Sequence, residues 1–354
     1  MTVLGKADKR DSWRDLWVRL LLYPGHTLPT AIAPVLIGAG LAVKDGRFAP
    51  VPLLLAFVGS WLIHTAGVFT DNFTLLRRHS AIREHPELLD AVEQGRLRLP
   101  VLRWCAAGLF IAGMLCGLPL LVGGGWPVVV LGVVGVVSAW GYAGRPLAYA
   151  ARGLADIVFF VMFAVVAPLG TYYIQAAWHQ AQAGPWWAAP VAPPALAWFA
   201  GVSVGALVVA VLVIDDIRDR HFDARKGWRT PAVRFGLSFS RAEFVTLALI
   251  ASLWPPVLWL VLDLGPWVLL AWLLLPETLA VVRAVLRHDT TAELIAYTPR
   301  TARLSALHAA LLAVGIALSG QAQASGLTNV HGVPRQVQAA GPRHSAQVNA
   351  HLRK

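Results

Sequence analysis

Four of the chain's 19 acidic residues fall within nine positions, in the run Asp215-Asp216-Ile217-Arg218-Asp219-Arg220-His221-Phe222-Asp223. On a helix, Asp215, Asp219 and Asp223 stand at i, i+4 and i+8 and share one face. Three carboxylates stacked that way repel one another unless a cation lies between them. Carboxylate oxygens suit Mg2+, which takes one or two of them and completes its octahedron with water and phosphate oxygens. Arg225, Lys226, Arg229 and Arg234 follow directly, and their guanidinium and ammonium groups are natural donors to a diphosphate. The run reads as a metal–diphosphate clamp at a membrane surface, with a solvated, self-paired loop face as the alternative.

The elements that carry such a clamp follow from composition. Of 354 residues, 57% are hydrophobic and only 14% charged, with mean hydropathy +0.60. A soluble domain carries about 25% charged residues, so a water-soluble globule is excluded. Apolar runs fall near 27–43, 50–70, 101–122, 124–143, 153–177, 195–214, 242–262, 265–286 and 302–320, each near the length of a membrane-spanning helix. The expected fold is all-α, a polytopic membrane bundle of about nine transmembrane helices. Residues 1–26 are expected as a cytoplasmic N-terminal segment, 27–320 as the transmembrane domain and 321–354 as a disordered tail. Trp186–Trp187, Trp254 and Trp267 suit the membrane interface.

The net charge of +11 supports this topology rather than a nucleic-acid partner. With nine spans, 24 of the 30 Lys and Arg residues fall on one side, together with the polar stretches 71–100 and 215–241. Positive charge marks the cytoplasmic side, so the N-terminus and the aspartate motifs are expected there, in the inner (plasma) membrane. No cleavable signal peptide is expected, because the first 20 residues are polar and charged. Cys105 and Cys116 lie about 16 Å apart along one helix, beyond disulfide reach.

The stretch VIDDIRDRHFDARKGWRTPAVRFG (213–236) resembles the second aspartate-rich motif of the UbiA superfamily of intramembrane prenyltransferases. It is most similar to the branch acting on 1,4-dihydroxy-2-naphthoate. TLPTAIAPVLIGAGLA (27–42), YAGRPLAYAARGLADIVFFVMFAVVAPLGTYYIQ (142–175) and TPRTARLSALHAALLAVGIAL (298–318) resemble other parts of the same family. The resemblance covers about residues 13–320 and implies a nine-helix fold. It implies further an enzyme that holds an isoprenyl diphosphate through Mg2+, ionises it and lets a hydroxylated aromatic acceptor, a quinone precursor, attack the allylic cation. Carried over, it makes Asp71, Asp215, Asp216, Asp219 and Asp223 metal-side acids, with Asp71, Asp219 and Asp223 the catalytic ones. Arg152, Arg218, Lys226 and Arg229 become diphosphate donors. The partners implied are the two substrates and the bilayer; no obligate protein partner is inferred.

The first aspartate motif departs from the family pattern N-D-x-x-D with a further Asp six residues on. Here the stretch is Thr70-Asp71-Asn72-Phe73-Thr74, then Ser80, so Asp71 alone remains of three acids. Glu84, Glu87 and Asp90 follow in the same loop as possible substitutes. The erosion sets a second reading beside the enzyme: a non-catalytic membrane protein that binds a prenyl lipid or quinone on the same scaffold. Four further residues have two readings each. Glu277 is an intramembrane functional acid or half of a polar pair at a kink. Asp156 is a cavity acid or a helix-N-terminal one. His64, two turns before Asp71, lines the cavity or is a satisfied core histidine, and His26 has the same two readings.

Overall fold

In a bilayer a spanning segment must satisfy its own backbone N–H and C=O groups, and each apolar run accordingly folds as a helix. A computed structural model describes residues 27–82, 86–183 and 191–324. In chain order the helices begin with α1 (Thr27–Lys44), α2 (Pro50–Arg78), the short α3 (Pro86–Glu93), α4 (Leu99–Gly124) and α5 (Trp126–Gly141). Then comes α6, which runs from Ala155–Val161 through a π-helical turn, Met162–Val166, into Ala167–Ala183. It is followed by α7 (Ala195–Lys226) and α8 (Leu237–Leu260). The last spans are α9, a tight Pro266–Leu274 stretch continuing as Leu275–Arg287, and α10 (Tyr297–Ala324).

Eight of these are long and apolar enough to cross a membrane. The ninth, α5, has 16 residues, about 24 Å of helix. The all-helical class and the nine-span reading therefore hold, with no strand among the described residues. Residues 1–26 (His26 included), Arg83, Glu84, Trp186, Trp187 and nearly all of the expected tail lie outside the described residues. The backbone of α10 continues to Ala324, four residues past the expected domain end.

At the centre is α7. In its most apolar window 83% of residues are buried, against 17% for α4, so α7 is the hub and α4 faces lipid. The cause is a sequence apolar all round from Val204 to Ile214. Between apolar helices in lipid, close packing of small residues replaces the hydrophobic drive, and α6 and α7 show how. Pro168 has no N–H to offer Ala164 four residues earlier, and the helix widens there into its π turn. A Cβ on Gly201 would come 2.3 Å from the Ala164 carbonyl oxygen. Glycine lets α7 approach that turn.

Two helices run further than their apolar stretches suggest. The expected polar loops at 71–100 and 215–241 begin as helix: α2 continues to Arg78 and α7 to Lys226. The end of α7 is fixed by Gly227 at φ +74°, with Gly227 N–H bonded to Ala224 O (3.1 Å) and Trp228 N–H to Asp223 O (2.9 Å), a Schellman closure. The turn Ser80–Ile82 after α2 touches α7, so the polar ends of α2 and α7 meet at one end of the bundle. There α3 packs Leu89 and Ala91 beneath Leu76, Leu97 and Leu102.

Candidate active site

Extension of α7 through Lys226 puts its acids in the helical register read from the sequence. Asp216, Asp219 and Asp223 are buried. The cation between the stacked carboxylates is Arg218: it pairs with Asp215 (Nη1–Oδ1 2.7 Å) and with Asp219, to which Nε donates at 2.9 Å. Thr298 at the start of α10 completes the group, donating to Asp215 Oδ1 (2.6 Å) and accepting from Arg218 Nη1 (3.1 Å). Thr291 donates to the Arg218 carbonyl at 3.0 Å. One turn on, Lys226 Nζ meets Asp223 Oδ1 at 2.8 Å and lies 4.0 Å from the Trp228 ring centroid. Thr230 donates to the other oxygen of Asp223 at 3.5 Å. Arg218 and Lys226, expected as diphosphate donors, thus pair with the acids.

The remaining basic residues divide. Arg152 and Arg229 sit on an exposed rim, where Arg229 N–H bonds Ala151 O (2.9 Å) and Arg152 Nη2 bonds Pro146 O (2.8 Å). The crossing of these two chain segments leaves room only for glycine at 153: a Cβ there would stand 2.1 Å from the Arg229 carbonyl oxygen. Arg225 lies over Phe222, and Arg220 reaches the Asp289 carbonyl at 2.7 Å; neither turns to the acids.

Asp71 faces the cluster from α2, and the link between them is Tyr142, just past α5. Its phenol is pushed well above the ordinary tyrosine value, first by burial and then by the carboxylates of Asp71, Asp216, Asp223 and Asp215. The same side chain is part-exposed. Asp71 of α2 and Asp215, Asp216 and Asp223 of α7 thus all act on the Tyr142 phenol. By contrast Tyr149, whose hydroxyl donates to Ser138 O at 2.9 Å, is pushed up to about 12 by burial alone.

At the eroded motif, the hydroxyls of Thr70 and Thr74 donate to Ala66 O (2.8 Å) and Thr70 O (2.9 Å) of their own helix. Committed in this way, they do not replace the missing carboxylates. Asp90 stands on α3; Glu84 and the Glu87 side chain lie outside the described residues. Glu277 is half of a pair with Arg300, whose Nη2 donates to Oε2 at 2.8 Å. Because Arg300 sits at the start of α10, this pair is at the acid-bearing end, not mid-membrane. Asp156 is in the first turn of α6, its Oδ1 sealed and without a hydrogen bond, and it faces Glu243 of α8, whose Oε2 is sealed likewise. The Asp156 carboxylate also acts on Asp216 of α7.

Sequence reading did not single out Tyr142, Thr298, Thr230 or Glu243.

Among the described residues no three His, Cys, Asp or Glu side chains converge to hold a metal by themselves. Mg2+ does not need that: one or two carboxylates suffice when phosphate and water complete its shell. The acids grouped around Tyr142 offer carboxylate oxygens, the donor type that fits a magnesium ion arriving with a diphosphate.

The chain resembles known proteins along most of its length. It is 32% identical over 249 residues to 1,4-dihydroxy-2-naphthoate octaprenyltransferase of Mycobacterium tuberculosis, covering 68% of this chain and 77% of that one. The enzyme of the same name from Mycobacterium leprae is 30% identical over 226 residues, covering 63% and 70%. Among solved structures, a UbiA homolog from Archaeoglobus fulgidus bound to GPP and Mg2+ superposes with TM-score 0.53 at 12% identity, covering 83% of this chain and 97% of that one. The model of the UbiA prenyltransferase family matches residues 31–307. With that span matched, the chain belongs to the UbiA prenyltransferase family.

Proposed function

We propose that the protein transfers an isoprenyl chain from a prenyl diphosphate to a hydroxylated aromatic acceptor of the 1,4-dihydroxy-2-naphthoate type, in quinone synthesis. The observation that carries this reading is the convergence of Asp71 and the α7 acids on Tyr142. The octaprenyltransferase relatives support the substrate classes, and the Archaeoglobus fulgidus homolog bound to GPP and Mg2+ supports the metal. By the placement of basic residues, the acid-bearing end lies on the cytoplasmic side of the inner (plasma) membrane.

When bound, Mg2+ supplies Lewis-acid neutralisation of the departing diphosphate. Asp71, Asp215, Asp216, Asp219 and Asp223 are its proposed carboxylate donors, with Asp71, Asp219 and Asp223 the ones catalysis depends on. Arg218 and Lys226, now paired with these acids, turn part of their charge to the diphosphate, while Arg152 and Arg229 receive it from the rim. The prenyl C1–oxygen bond breaks with its electron pair leaving on diphosphate, and the acceptor's ring closes the new C–C bond. Aromaticity returns when the attacked carbon loses its proton, or carbon dioxide where it carried a carboxylate, and the pair of the broken bond stays with the ring. Tyr142 stays a neutral phenol, able to donate to a diphosphate oxygen. The apolar walls of α6 and α7 keep water from the allylic cation.

Labelled geranylgeranyl diphosphate, Mg2+ and membranes containing the protein are incubated with dihydroxynaphthoate, hydroxybenzoate and homogentisate. Transfer to the naphthoate is expected. Intact diphosphate with every acceptor would favour the second reading, a prenyl-lipid or quinone-binding protein, for which the committed hydroxyls of Thr70 and Thr74 speak.

A further inference from the structure

We propose that Arg78 is the cation that α2 brings to the prenyl donor: its guanidinium hydrogen-bonds two oxygens of the diphosphate, on the side where Asp71 is the one carboxylate left in its motif. This rests on the transferase reading above and adds a residue to its diphosphate grip.

Helical register puts Arg78 there. α2 stays helical through Arg78, and the His79 N–H closes it on Leu75 O at 2.8 Å. Seven residues make nearly two whole turns, so His64, Asp71 and Arg78 share one face of α2. His64 is engaged deeper in the bundle, 3.4 Å from the Thr30 hydroxyl and edge-on to Phe163. Asp71 acts on Tyr142 together with the α7 acids. Arg78 stands about 10 Å further along the axis. A helical side chain leans over the turn N-terminal to its own Cα, which is back toward Asp71. The next turn, Ser80–Ile82, touches α7. α3 packs against Leu76, on the far side of α2 from Arg78, and Arg78 is exposed.

This guanidinium is also uncommitted. Arg218 and Lys226 are paired with the α7 acids, and Arg220 with Asp289. Arg77, its neighbour, lies over the Phe73 ring at 5.8 Å. Among the described residues no carboxylate, hydroxyl or ring engages the Arg78 side chain.

The chemistry selects the ligand. A planar fork of N–H donors fits a phosphate through two parallel hydrogen bonds. The hydroxyls of Thr70 and Thr74 are spent on their own helix. The α2 side therefore offers a diphosphate one carboxylate, which needs Mg2+ between itself and the phosphate, and one guanidinium, which does not.

The test uses the full chain in lipid nanodiscs and equilibrium binding of a non-reactive geranylgeranyl thiodiphosphate, with saturating Mg2+ and with EDTA. Arg78→Gln is expected to weaken binding at least about tenfold in both, the loss of charged hydrogen bonds. Arg77→Gln removes the same charge one residue away and is expected to leave the affinity unchanged. Arg78→Lys keeps the charge and loses the fork; it should fall between wild type and Arg78→Gln, and it serves if the glutamine variant does not fold. Geranylgeraniol, which lacks the diphosphate, should bind each protein alike. Equal thiodiphosphate affinities in wild type and Arg78→Gln overturn the assignment, as does an equal loss in Arg77→Gln or wild-type affinity in Arg78→Lys. A guanidinium that only neutralises the carbonyl end of α2 gives the first of these results with a lowered melting temperature. Turnover with 1,4-dihydroxy-2-naphthoate is measured alongside. Its absence in wild type, with Arg78-dependent binding intact, overturns the transferase reading and leaves Arg78 as a diphosphate-binding residue.

Discussion

The carboxylate of Asp71, two turns from the end of α2, and the phenol of Tyr142, just past α5, act on each other across the bundle. Neither has a sequence neighbour that explains the other. The relationship exists because α2 and α7 bring their polar ends together at one end of the bundle, where their acids act on Tyr142.

That environment sets a pH dependence. The folded-state pKa of Tyr142 lies above the unfolded value near 10. Its contribution to stability is therefore complete below about pH 10 and is lost as pH rises through the folded value. In an alkaline titration followed by tyrosinate absorbance, Tyr142→Phe should leave the step near pH 10 unchanged. A smaller step in the variant would mean that Tyr142 ionises like a solvent-exposed phenol.

Thr298 holds Arg218 and Asp215 together. Thr298→Val keeps the shape and removes both hydrogen bonds, so a loss of about 1–2 kcal/mol of stability is expected. A fall of about tenfold in kcat/KM should accompany it, as for groups that orient a metal's ligands. Thermal unfolding in detergent and steady-state kinetics check the two; unchanged kinetics would show that Arg218 needs no help from α10.

Gly153 and Gly227 both have left-handed backbone, at φ +72° and +74°, but only Gly153 is crowded. Gly227→Ala should cost about 1–2 kcal/mol for the backbone alone. Gly153→Ala must in addition push the Arg229 segment aside, and its melting temperature should fall well below that of Gly227→Ala. Equal melting temperatures would contradict the close crossing of the two segments.

The pair Glu277–Arg300 is about a third exposed on each side. Exposed pairs contribute under about 1 kcal/mol, and the Glu277 carboxylate is already held by Arg300. Glu277→Gln should melt within a few degrees of wild type and transfer prenyl groups at the same rate. A large loss of rate would return Glu277 to the site.

The acid ladder was legible in the sequence because its register depends only on α7 continuing as a helix, and Gly227 ends that helix after the last acid. Nine spans were legible for a similar reason: apolar length and basic loops are local properties. The role of Arg218 was not. Its place beside Asp219 and three residues after Asp215 lets it close on both, and that geometry depends on Thr298, 80 residues away. Tyr142 was hidden for the same reason, since its neighbours come from α2 and α7. Glu277 looked buried at mid-span because its depth was counted along its own helix; Arg300 shows where it lies.

Mg2+-dependent binding of a non-reactive geranylgeranyl thiodiphosphate tests the joint grip most directly, measured for wild type, Asp71→Asn, Asp219→Asn and the double variant. Each single change is expected to weaken binding at least about tenfold, and the double change by less than the product, because both carboxylates hold one ligand. Wild-type affinity in Asp71→Asn would contradict the account and leave the α7 acids to act alone.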